Sequence, residues 1–259
     1  MCSSVRLELR LSNFWLPVVT LWQRELVRFW RQKSRVLGVV ASPLVFWLLI
    51  GSGSGDLGRF FAGALVLTVL FSAIFSTISI IEDRREGFLL SMLDSPASRT
   101  SLVLGKILGA ATLAWIQGLI FLAFAPLAGV SIGIPQILAV IAAVFLVSFT
   151  LTGLGFVIAW RMSSTSGFHA IMNLLLVPMW MVSGSLFPMA TAHGWIKVVM
   201  WANPLTYSIS LLNGLLKLSS GSPGISVSLL VTAVFGTVLL LASGVVGLML
   251  LITKVRNGR

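Results

Sequence analysis

The run FFAGALVLTVLFSAIFSTISII, residues 60 to 81, passes twenty-two positions without a charge or a proline. As a helix it is roughly 33 Å long, enough to cross the hydrocarbon core of a bilayer. Comparable apolar runs at 36–50, 107–128, 136–160, 168–187 and 227–252 bring the candidate spans to six. None alternates polar and apolar residues as a barrel strand does, so the reading is an all-α, polytopic membrane protein. The composition agrees, with 57% hydrophobic and 10% charged residues. The first span is the shortest, carries Pro43, and runs into the glycine turn GSGSG at 51–55.

The formal charge of +11 does not point to nucleic acid, because the basic residues flank apolar runs. Fifteen of the eighteen lysines and arginines fall before the first span, in the second-to-third and fourth-to-fifth connections, or after the sixth span; only Arg59, Lys197 and Lys217 fall on the other side. That alternation predicts six spans with both termini cytoplasmic in a cell (inner or plasma) membrane. The amino terminus lacks a signal-peptide pattern, so the first span is expected to act as its own insertion signal.

Residues 1–35 are expected to form an amphipathic cytoplasmic segment ahead of a transmembrane domain at 36–252 and a basic tail at 253–259. Within 11–35, Trp15, Val19, Trp22, Leu26 and Phe29 recur at steps of four and three, with Arg24, Arg28 and Arg31 off that stripe. This predicts a helix lying in the membrane interface. The stretch 188–226 is apolar at Trp195, Ile196, Val198, Val199, Met200 and Trp201 but broken by Pro188, Gly194 and Pro204. It predicts short helices that enter the outer leaflet and return.

Several functions lack their residues. All seven carboxylates (Glu8, Glu25, Asp56, Glu82, Asp83, Glu86, Asp94) lie outside the proposed spans or at their mouths, against an ion-coupled carrier. Lys106, one turn inside the third span, is expected to snorkel. The single cysteine, Cys2, excludes an internal disulfide, and no zinc spacing occurs. A catalytic dyad would have to pair His193 with Ser183 or Ser185, without any hydrolase elbow, so a lipid or peptide enzyme is the weaker alternative; a lone interfacial histidine such as His193 or His169 reads as a polar cap. Gly105-Lys106 is not a phosphate loop, so any nucleotide energy must come from another chain.

Four of the seven carboxylates crowd into EDRREGFLLSMLDSPASRT, residues 82–100. The second-span helix is expected to continue through Glu82–Glu86 to Gly87. Phe88, Leu89, Leu90, Met92 and Leu93 follow as an apolar patch, and Ser95-Pro96 reads as an N-cap with proline at the first helical position. Mixed charges beside an apolar wedge suit either a docking surface or internal salt bridges with interface anchoring; the residues alone leave both open. Gly105-x-x-x-Gly109 lets the third span approach a neighbour closely.

Asp83, Arg84, Glu86, Gly87, Leu89, Leu93, Ser95, Pro96, Ser98, Arg99, Gly105 and Lys106 match the pattern D-R-E-x-G-T-L-E-x-L-L-x-S-P-x-S-R, then G-K, of type-2 ABC transporter permeases. Phe88 replaces the usual threonine, Leu90 the second glutamate, and Arg85 is inserted. SGSLFP (183–188), Trp195 and NPLTY (203–207) resemble a second motif of the same family, with His193-Gly194 where a proline is common. The resemblance spans nearly the whole chain. It implies an export subunit for a drug, lipid or polysaccharide, working as a homodimer or with a similar permease on separate ABC ATPase subunits that bind ATP and magnesium. It also implies that 82–99 is the coupling element, with Glu82, Asp83, Arg84, Arg85, Glu86, Gly87, Phe88, Leu89, Ser95, Pro96 and Arg99 toward the ATPase. Ser183, Gly184, Phe187, Pro188, Asn203, Pro204 and Tyr207 read as backbone punctuation or as an outer gate. An ATPase-linked assembly factor that moves nothing is a third reading.

Overall fold

A computed structural model describes residues 2–93, 97–130, 133–187, 189–218 and 225–239. Among them every regular element is helical: α1 (Cys2–Arg31), α2 (Lys33–Ser54), α3 (Leu57–Arg85), α4 (Phe88–Leu93), α5 (Arg99–Leu122), α6 (Ile134–Arg161), α7 (Thr165–Trp180), α8 (Gly194–Ala202), α9 (Pro204–Leu216) and α10 (Ile225–Leu239). Five stretches are long and apolar enough to cross a membrane: Val36–Ser54, Leu57–Arg85, Thr100–Leu122, Gln136–Arg161 and Thr165–Ser185. Of the sixth run, 227–239 lies in α10. Its remainder, 240–252, and the tail at 253–259 lie outside the described residues.

The boundaries follow local chemistry. Gly55, at φ +73°, closes α2 by donating its backbone N–H to Gly51 and Ser52, a left-handed cap that favours glycine. Asp56 then caps α3 by accepting from the Arg59 N–H at 3.0 Å. Helix α5, which holds the third span, starts at Arg99 and ends at Leu122, earlier at both ends than the apolar run suggests, because Ser98 caps its start and Pro126 sets a tight turn at Ala125–Ala128. Ser98 accepts from the Ser101 N–H at 3.2 Å. The expected cap at Ser95-Pro96 is therefore corrected for this helix; those two residues lie outside the described set.

Helix α3 is the axis of the fold. Of its most apolar stretch 89% is buried, against 22% for α2 and 28% for α7. It packs between α2, α5, α6, α7 and α9. Small residues make that enclosure possible: a Cβ on Gly155 of α6 would come within 2.9 Å of the Thr77 hydroxyl, and one on Gly118 of α5 within 2.8 Å of Val69. Thr68 and Thr77 return their hydroxyls to the carbonyls of Ala64 and Ile74, so the buried helix carries them cheaply. At one end, Trp47, Phe61 and Phe121 meet at ring centroids of 5.4 to 5.8 Å. The Trp47 indole donates to Leu57 O at 2.8 Å, joining α2 to the start of α3.

Helix α1 departs from the expected stripe. Among its described side chains Val18, Leu21, Glu25 and Phe29 are buried, so of the stripe only Phe29 keeps its place, Trp22 and Leu26 are half-buried, and Trp15 is 52% and Val19 44% exposed. The reason is the partner helix. A Cβ on Gly105 would lie 2.9 Å from Val18 O, and one on Gly109 2.8 Å from the Glu25 Cβ. The neighbour admitted by that glycine pair is thus α1 of the same chain. The close crossing turns the helix about one position from its aromatic stripe and draws a glutamate inward.

Candidate functional site

The charged end of α3 is built from three helices. Asp83, 0% exposed, accepts from Arg24 at 3.0 and 3.1 Å, from Arg28 at 2.8 Å, and from the Lys106 ammonium. Lys106 also donates to Glu25 at 2.9 Å, and Arg28 to Glu82 at 2.7 Å. Three cations on α1 and α5 thus face three carboxylates on α1 and α3. Around Arg24, burial opposes the charge, but hydrogen bonds from its guanidinium to Asp83 prevail and raise its pKa above the ordinary arginine value.

This arrangement corrects the snorkelling expected of Lys106, which is 3% exposed and paired with two carboxylates. A buried ammonium beside two carboxylates satisfies all three groups; reaching for water would take from Glu25 its nearest cation and leave Asp83 to the two arginines. Arg24, Glu25, Arg28 and Lys106 are the members that sequence reasoning missed. The available signal was Glu25, the one carboxylate in the basic and apolar stretch 11–35 and directly after Arg24.

Residues 82–86 divide by direction. Arg84 points at the far end of α6, where it donates to Trp160 O at 2.6 Å and Met162 O at 3.2 Å and lies 5.3 Å from the Trp160 ring centre. Those carbonyls end the α6 helix, so a guanidinium there satisfies its last acceptors. Arg85 and Glu86 face outward, with the Glu86 side chain 63% exposed and 3.9 Å from Arg28. Gly87, at φ +74°, turns the chain into α4. Phe88 is not a free wedge: the Arg24 guanidinium carbon sits 3.8 Å above its ring centre, and it packs beside Leu21, Met92 and Leu102. Ser95 and Pro96 lie outside the described residues, as do the side chains of Leu89 and Arg99.

At the opposite end of α3, polar side chains bind backbone. Helix α7 passes into a π-helical turn at Met181–Ser185, with Gly184 at φ +90°. Ser183 and Ser185 both donate to Trp180 O, the latter at 2.7 Å, and the Trp180 indole donates to Gly63 O at 2.8 Å. Asn203 donates to Met179 O at 2.6 Å and accepts from the Leu205 N–H at 3.0 Å, with Pro204 in the first turn of α9. Tyr207 donates to Trp201 O at 2.9 Å, and Phe187 is exposed. Pro188 lies outside the described residues. His193 precedes α8 without a side-chain capping bond, and neither serine is turned to it. His169 is likewise no cap: Ser164 caps α7, accepting from the Gly167 N–H, and His169 lies a turn further in.

Apolar spans around one enclosed helix make this a multi-pass membrane protein. The family described as ABC-2 type transporter matches residues 17–217, and the chain belongs to that family. Relatives include a putative transport permease, ycf38, of Cyanophora paradoxa, 24% identical over 203 residues, covering 72% of this chain and 69% of the relative. Nodulation protein J of Neorhizobium galegae is 25% identical over 220 residues, covering 75% of this chain and 79% of the relative. The linearmycin resistance permease protein LnrN of Bacillus subtilis is 29% identical over 139 residues, covering 53% of this chain and 36% of the relative. Membership makes the chain a transport permease, which is not itself catalytic.

Proposed function

We propose that this chain is the permease half of an ATP-driven exporter, with six spans, both termini cytoplasmic, and the Asp83 end toward separate ABC ATPase subunits that bind ATP and magnesium. The observation that carries the reading is the division of residues 82–86. Asp83 and Arg84 are spent inside the chain, whereas Arg85 and Glu86 stand outward on a helix continuous with the buried axis. A push on that stub is delivered along α3, and through Arg24, Lys106 and Phe88 to α1, α5 and α4. Docking then belongs to Arg85, Glu86 and the exposed rim near Ser91 and Ser98, with Glu82, Asp83, Arg84 and Phe88 acting through their contacts inside the chain.

The bare faces of α2 and α7 suit a second permease copy, identical or similar. Helix α8, with Trp195 and Val198 each 69% exposed, suits the outer leaflet, and the bonds around Trp180 suit a firm outer gate. The cargo is an apolar or amphipathic molecule. Affinity purification in mild detergent, followed by ATP-dependent uptake into inverted vesicles, tests the reading. A near-stoichiometric ATPase and nucleotide-dependent cargo movement are expected. A chain that purifies without an ATPase under conditions preserving other membrane complexes overturns it, and a complex that hydrolyses ATP without cargo movement supports an assembly factor instead.

A further inference from the structure

A cavity of about 510 Å³ lies between α2, α3 and α7, within the range of drug-sized ligand sites. Phe71, Ile74 and Phe75 of α3 and Met172 and Leu176 of α7 form its apolar wall. Three polar side chains share it: Ser42 from α2, and His169 and Asn173, one turn apart on α7. His169 rests against Phe75 with ring centres 5.4 Å apart. Among the described residues none of the three makes a side-chain hydrogen bond, and no lysine, arginine, aspartate or glutamate lines the space.

Ser42 and Asn173 are exposed and His169 is half-buried; polar groups on the open side of membrane-spanning helices are costly against lipid and are kept where something meets them. Asn173 and Ser42 offer both donor and acceptor, and His169 adds ring nitrogens. Such a trio matches a hydroxyl- or amide-bearing head. It offers no carboxylate to a cationic one and no fixed cation to an anionic one. The aromatic and aliphatic wall beside it takes a hydrocarbon or ring system.

We infer that this cavity binds an amphiphile with an uncharged, hydrogen-bonding head group, and that His169, Asn173 and Ser42 are the residues that select it. The inference rests on the exporter reading for its purpose, since it names the cargo class, but its test does not depend on the ATPase. Gly38 supplies an independent handle. It lines the cavity, and a Cβ there meets nothing within 4 Å, so Gly38→Leu fills space without displacing a neighbour.

The full chain in lipid nanodiscs is photolabelled with a diazirine-bearing monoacylglycerol, with a diazirine fatty acid and a diazirine long-chain quaternary ammonium as comparisons, and the labelled peptides are mapped by mass spectrometry. The monoacylglycerol is expected to label the cavity walls on α2, α3 and α7 in preference to both charged probes. Its labelling should fall about tenfold in His169→Leu/Asn173→Leu, the loss of two ordinary hydrogen bonds, and comparably in Gly38→Leu. These variants put apolar side chains in an open cavity between apolar helices, and unchanged melting temperatures confirm that they fold. Labelling spread over the outward apolar faces and indifferent to the variants, or equal labelling by the ammonium probe, overturns the inference. An ATPase that co-purifies while labelling ignores these residues leaves the exporter reading standing without this site. Specific labelling without an ATPase does the reverse.

Discussion

At the Asp83 end of α3, one carboxylate gathers Arg24, Arg28 and Lys106 from two other helices; at the Trp180 end, Ser183, Ser185 and Asn203 bind main-chain carbonyls. Both ends lie within the stretch that the family matches, yet the bonds differ in kind. Ion pairs in a buried setting are strong only while complete, because any deletion strands a charge. Side-chain bonds to backbone can be lost singly, each at a modest cost. The charged end thus behaves as an all-or-none clamp, and the other end as a set of separable fastenings.

The sharpest way to break this contrast is Asp83→Ala, which leaves Lys106, Arg24 and Arg28 short of a partner. A loss of about 3–5 kcal/mol is expected, read as poor yield and a lowered melting temperature in detergent. Adding Lys106→Met should recover part of that loss, because fewer charges are then stranded. Recovery would sharpen the clamp account; an Asp83→Ala protein as stable as the parent would end it.

Next comes the helix crossing that holds the clamp together. Gly109→Leu places a side chain against Glu25, where even a Cβ comes within 2.8 Å. A cost of about 1–3 kcal/mol is expected from overpacking, together with increased cysteine accessibility at position 25 in a Glu25→Cys reporter relative to that reporter alone. At the opposite end Asn203→Ala removes a helix cap and a bond to Met179 O. About 0.5–2 kcal/mol is expected, measured by the same melting assay, with Ser183→Ala smaller still.

The large features of the fold were legible because bilayer thickness imposes a length on every span and leaves few alternatives. The 60–81 run marks the axis, and Asp56 and Gly55 punctuate its start as ordinary capping chemistry dictates. The Ser98 cap was hidden by a neighbouring Ser-Pro pair that carries the stronger local signal. Lys106 was misread, and its partner Glu25 passed over, for a tertiary reason: eighty-one positions separate them, and only the close approach of α1 at Gly105 and Gly109 shows that they meet. The charged stretch illustrates the same limit. Composition marked it as unusual, but whether each residue turns inward or outward depends on which helix passes beside it.

The smallest expected effect on stability is also the most telling for function. Arg85 and Glu86 project outward, so Arg85→Ala/Glu86→Ala should change stability by no more than about 0.5 kcal/mol, as for exposed charges generally. The decisive measurement is the amount of ATPase retained when this double variant is purified in mild detergent beside the parent chain, with melting temperature read on the same samples. The account predicts that the ATPase is lost while the melting temperature stays at the parent value. Retention of the ATPase at the parent stoichiometry by a normally folded double variant would contradict it.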